Sequence, residues 1–183
     1  MPILGIIASS FPAATTDYES IATTTVGSGG AADVTFSSIP GTFTHLQIRG
    51  LARSTGSGSN MLMQLNSDTG SNYSLHALFG DGASAGADAI INTTRVIIGW
   101  VPQTAATASV FGGSVTDILD YANTNKYKTS RSLHGADLNG SGLSQFTSGL
   151  WQSTSAITSV KIFMNTGNLA EYSHFALYGI KGA

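Results

Sequence analysis

The chain has no cysteine among its 183 residues. Disulfide staples, thiolate catalysis and cysteine-based zinc sites are therefore excluded. Charge is scarce as well: Asp, Glu, Lys and Arg supply 10% of the residues, against about 25% in an average globular protein. The formal net charge of −2 offers no electrostatic reason to expect nucleic acid. The apolar stretch Met1–Phe11 falls far short of the ~20 residues that cross a bilayer, so no membrane partner is expected. No basic residue precedes that stretch, as a secretory leader would require. Nor does any long run keep a helical spacing of apolar residues.

Hydroxyl groups and glycine take the place of charge. Ser, Thr and Gly together account for 67 residues. Aromatic and β-branched residues are still plentiful, so low charge here means a neutral, hydroxyl-covered surface and not disorder. The length suits one all-β domain. We expect residues 1–18 to form an N-terminal apolar arm or edge strand, and residues 19–183 a single sandwich.

Near the C-terminal end, Ile157–Asn165 and Tyr172–Ile180 alternate apolar and polar side chains, the mark of strands with one face on a core. Earlier segments are expected to pair around these two. Glu19–Val26 and Asp33–Ser37 flank a Gly27–Gly30 break and read as a hairpin. Phe43–Ala52 alternates, with Leu46 and Ile48 opposite His45, Gln47 and Arg49, so its sheet has one wet face. Met61–Asn66 carries apolar residues at consecutive positions and should be covered on both sides. Leu75–Phe79 reads as a short strand and Gly80–Asp88 as a loop. Further strands are expected at Arg95–Val101, Ala108–Tyr121, Tyr127–Asp137 and Leu143–Trp151. Roughly ten short strands with turns every ~8–12 residues predict an all-β fold, an antiparallel two-sheet β-sandwich of jelly-roll-like form. Leu46, Ile48, Leu65, Ile98, Val160, Ile162, Phe175 and Leu177 should fill its core.

Catalytic and metal signals are weak. Gly82-Ala83-Ser84-Ala85-Gly86 fits G-x-S-x-G, but a nucleophile elbow needs a helix after the serine, and none is expected. Asp137–Gly142 copies the first half of a calcium loop, yet its twelfth position is Ser148 where a bidentate Glu should stand, so a turn is the better reading. Asn66, Asp68 and Asn72 read as Asx-turn residues. His45, His76, His134 and His174 lie too far apart in sequence for a zinc motif. The two glutamates, Glu19 and Glu171, offer no obvious acid–base pair. No catalytic residue, metal site or cofactor is expected.

Four stretches then carry a family resemblance: MPILGIIAS, DYESIATTTVGSGGAADVTFSSIPGTFTHLQIRGLAR, DILDYANTNKYKTSRSLHG and AITSV…HFALYGIKGA. They resemble a group of virion proteins of tailed bacteriophages, particularly phages of marine bacteria and cyanobacteria. The resemblance spans essentially the whole chain, and the two termini and DYANTNKYKT are its most specific parts. It implies a β-sandwich structural protein on the particle surface, with no catalytic residues to carry over. Capsid decoration, cement subunit and fibre head all fit. Partners would be further copies of the chain, by analogy as a homotrimer, and other capsid or tail subunits. The cluster Ile3, Leu4, Ile6 and Ile7 is a candidate assembly contact, since it is apolar on both alternate faces. A second reading is a carbohydrate-binding module that contacts host surface glycan. Tyr73, Trp100 and Trp151 are its stacking candidates, with Trp100 better read as core because Val96, Ile97, Ile98 and Val101 surround it in sequence. A glycan-cleaving enzyme would need a carboxylate pair that the sequence does not display.

Overall fold

The computed structural model describes residues 17–182. The cluster Ile3, Leu4, Ile6 and Ile7, and with it the arm expected at 1–18 apart from its last two residues, lies outside the described residues. Twelve strands follow, with no helix among the described residues: β1 (Tyr18–Thr25), β2 (Asp33–Phe36), β3 (His45–Ala52), β4 (Asn60–Leu65), β5 (Tyr73–Gly80), β6 (Ala85–Thr93), β7 (Val96–Trp100), β8 (Gly112–Leu119), β9 (Lys128–Asp137), β10 (Gly142–Trp151), β11 (Val160–Met164) and β12 (His174–Ile180). They form two antiparallel sheets that pack as a sandwich. The larger has the order β1-β12-β3-β8-β9-β10-β5-β6, and the smaller β2-β11-β4-β7.

The pairing is nested. β1 pairs with β12, β2 with β11, β3 with β8, and β4 with β7, so the first part of the chain runs back along the last part in reverse order. Two local hairpins, β5–β6 and β9–β10, are set into this scheme and widen the larger sheet on one side. The expectation that earlier segments pair around the C-terminal strands holds: β12 lies between β1 and β3, and β11 between β2 and β4.

Two expectations are corrected. β1 and β2 are not a hairpin, because the Gly27–Gly30 break carries the chain from one sheet to the other. The loop expected at Gly80–Asp88 is mostly strand. β6 is an edge strand with exposed or half-buried residues throughout, so nothing requires it to alternate. Its Asp88 stands opposite Ala77 and sets a charge on the face that elsewhere in the sheet is core, one way to blunt a free edge.

The core follows from alternation. All eight residues expected inside are no more than 2% exposed, each burial contributing roughly 1.5–3 kcal/mol. β4 is buried at every position from Met61 to Leu65, as its continuous apolar run requires. Where β7 crosses the larger sheet, the core turns polar and small. Ser132 Oγ donates to the Ile98 carbonyl at 2.8 Å and lies 2.8 Å from Thr116 Oγ1. Those hydroxyls satisfy a backbone acceptor that would otherwise be buried without a partner. Gly149 is required by the same close approach: a Cβ there would meet Val96 Cγ1 at 2.6 Å.

Candidate functional site

The residues singled out in sequence serve mainly in turns and packing. Ser84 closes the four-residue turn between β5 and β6, with strand on both sides where a nucleophile elbow has a helix. The Asp81 carboxylate accepts from Ala83 N at 2.9 Å, Ser84 N at 2.7 Å and Ser84 Oγ at 3.2 Å, so the serine caps a turn. Those bonds, the Ser84 N–H foremost, hold the Asp81 pKa below its usual value. Asp137 does the same for the β9–β10 turn, accepting from Asn139 N at 2.7 Å.

Tyr73 and Trp151, the stacking candidates, are 1% and 3% exposed. Their rings stack on one another at 6.2 Å. Trp151 Nε1 donates to Asp68 Oδ2 at 2.7 Å, while the Tyr73 hydroxyl accepts from Leu65 N at 3.0 Å. Burial pushes the Tyr73 phenol up to about 12, and the Trp151 hydrogen bond holds Asp68 below its ordinary value. Neither ring offers a face to a ligand. Trp100, read as core, is instead half-buried at the end of β7 and lines a cleft. Burial thus differs from the sequence expectation at all three: Tyr73 and Trp151 are inside the sandwich and Trp100 is not.

Of the histidines, His45 accepts from Asp120 N at 3.0 Å, and His174 Nδ1 lies 2.8 Å from Thr25 Oγ1. His76 is exposed on β5. His134 is buried, with Nε2 3.2 Å from Thr147 Oγ1 and no partner for Nδ1. Glu19 is taken up by Lys181 at 2.6 Å.

Two surface features emerge that no single stretch reveals. The first is on the outer face of the larger sheet. Val115 on β8 stands opposite Leu133 on β9, Leu133 opposite Phe146 on β10, and Phe146 opposite Leu78 on β5. All four are exposed, Leu133 and Leu78 by 64% and 63%. They make an unbroken apolar ridge across four strands. Beside it runs a row of small residues, Gly113, Gly135, Ser144 and Gly80, in the same cross-strand register. This row lies in a groove of about 840 Å³, walled at its far side by the β5–β6 and β9–β10 turns.

The second feature is the cleft beside Trp100, about 450 Å³ in volume. One wall is the segment after β7, with Pro102, Gln103, Ala105 and Ala106, and the other is the tips of the two hairpin turns. Arg53 fixes the first wall. Its guanidinium donates to the carbonyls of Thr107 at 2.7 Å, Val110 at 3.0 Å, Ala106 at 2.7 Å and Thr104 at 3.4 Å. Pro102 O in turn accepts from Ser54 N at 2.9 Å.

Fold and surface together define an antiparallel two-sheet β-sandwich with an apolar ridge on its wide sheet and a cleft at the tips of its inserted hairpins. Compared with models of protein families, with curated proteins and with solved structures, the chain matches none.

Proposed function

We propose that this chain is a non-enzymatic structural subunit of a bacteriophage particle surface, a capsid decoration or cement subunit or a fibre head, that works as a homotrimer. The ridge Val115–Leu133–Phe146–Leu78 carries the reading. A neutral, hydroxyl-rich surface has no reason to hold four large apolar side chains in register unless another protein surface covers them. The occupant is a further copy of the same chain, with the wide sheets of three copies turned toward a common axis. Seven strand spacings of ~4.8 Å and eight residues of ~3.3 Å give this sheet face roughly 900 Å². Divided between the two neighbours of a trimer, it gives roughly 450 Å² per partner at each contact, at the small end of specific interfaces. The nested strand order, β1-β12-β3-β8 against β2-β11-β4-β7 with two extra hairpins, supports reading the sandwich as jelly-roll-like, an architecture used in viral capsid domains.

Light scattering tests the assembly. The purified protein should have three times the 18.8 kDa mass of the chain. Leu133→Lys and Leu78→Lys, both on exposed positions, should reduce it to one chain mass with thermal stability little changed. An unaltered protein that is monomeric at micromolar concentration would defeat the proposal.

A further inference from the structure

We propose that the cleft beside Trp100 is a binding site for a neutral saccharide. This goes beyond the assembly role and does not depend on the ridge. The half-buried indole of Trp100 supplies an aromatic surface at the cleft wall. Its Nε1 makes no side-chain hydrogen bond among the described residues, whereas the indole of Trp151 is spent on Asp68. The Gln103 amide and the Ser59 hydroxyl, which line the same cleft, are likewise unused by neighbouring side chains. On the opposite wall the Asp81 carboxylate is exposed and ionised at neutral pH. Only Ser84 Oγ approaches its Oδ2, at 3.2 Å.

The lining selects the ligand class. It contains one carboxylate and no lysine, arginine or histidine. A phosphate or carboxylate ligand would meet repulsion with no compensating cation, and a wholly apolar ligand would strip water from Asp81 without replacing its hydrogen bonds. A sugar ring satisfies both walls: its C–H face packs on an indole, and its hydroxyls donate to a carboxylate and exchange hydrogen bonds with an amide. The volume falls within the roughly 300–1,000 Å³ of small-molecule sites. Because Arg53 already holds the segment after β7 through four carbonyls, two of them within Pro102–Ala106, little ordering cost remains for binding.

The chain has two tryptophans, one of them buried, so acrylamide quenching of intrinsic fluorescence reports on Trp100. The test titrates the full-length protein with neutral trisaccharides of glucose, mannose, galactose and N-acetylglucosamine, and separately with inorganic phosphate. At least one trisaccharide should protect the fluorescence from acrylamide at millimolar concentration, and phosphate should not. Gln103→Ala and Asp81→Asn keep both tryptophans and should each weaken that protection about tenfold, while Trp100→Ala should abolish the change. Lack of protection by every trisaccharide, full protection in Gln103→Ala and Asp81→Asn alike, or protection by phosphate overturns the proposal.

Discussion

His134 is the residue most at odds with its surroundings. Its imidazole lies in the core with one ring nitrogen unpartnered, and burial pulls its pKa down to about 4 from the ordinary 6.5. The unfolded chain therefore takes up a proton near pH 6.5 and the folded chain only near pH 4. Stability from keeping this group neutral is complete above pH 6.5, and is lost progressively as the pH falls toward 4. A shift of that size corresponds to ~3 kcal/mol. Urea midpoints measured between pH 7 and 4 should fall for the unaltered protein and stay nearly flat for His134→Gln. The same acid sensitivity in both would show that His134 is not its source. The carboxylates Asp68, Asp81 and Asp120 have lowered pKa values, so their contributions are lost only at still lower pH.

At the scale of the element, two cations organise segments that carry no regular structure. Lys128 opens β9 at 1% exposure, and its ammonium donates to the carbonyls of Asn123 at 2.6 Å, Lys126 at 2.9 Å and Thr154 at 3.1 Å. All three protons are used, which ties the β8–β9 turn to the segment after β10. Burial lowers the Lys128 pKa, and nearby Asp120 works against that. Lys128→Met should cost on the order of 3 kcal/mol, because three carbonyls lose a charged donor. A loss below ~0.5 kcal/mol in urea denaturation would mean that water replaces the ammonium freely. Arg53 plays the matching part for the segment after β7. Arg53→Lys should leave the strands intact yet weaken saccharide protection of Trp100, since one ammonium cannot reach four carbonyls. Unaltered protection in Arg53→Lys would show that the wall holds itself. Neither role was legible in sequence, because the carbonyls each cation meets come together only on folding. The strands themselves were legible wherever one face meets the core, as at Leu46 and Ile48 or Phe175 and Leu177. Legibility failed at β6, whose edge position imposes no pattern, and at the aromatics. Local apolar neighbours predicted a buried Trp100, but at the last residue of an edge strand the ring is left half in the open.

For the whole molecule, the decisive property is that the sandwich is held by pairings between distant parts of the chain. Each main-scheme pair joins a strand before β5 to a strand after β6, and the outermost pair joins residues 18–25 to residues 174–180. Only β5–β6, β8–β9 and β9–β10 are local. Refolding after dilution from denaturant should accordingly be slow for a domain of this size, milliseconds to seconds or longer. A microsecond phase that restores the full near-ultraviolet signal would contradict this. The same nesting bears on synthesis. β1 leaves the ribosome well before β12, so the larger sheet stays without a strand between β1 and β3 until residues 174–180 have been made. Only the local pairings β5–β6, β8–β9 and β9–β10 can form early on the emerging chain. The sandwich is thus completed only once β12 has emerged, and a message cut short before codon 174 would yield a chain with β1 and β3 unbridged, exposing apolar faces to every neighbouring copy.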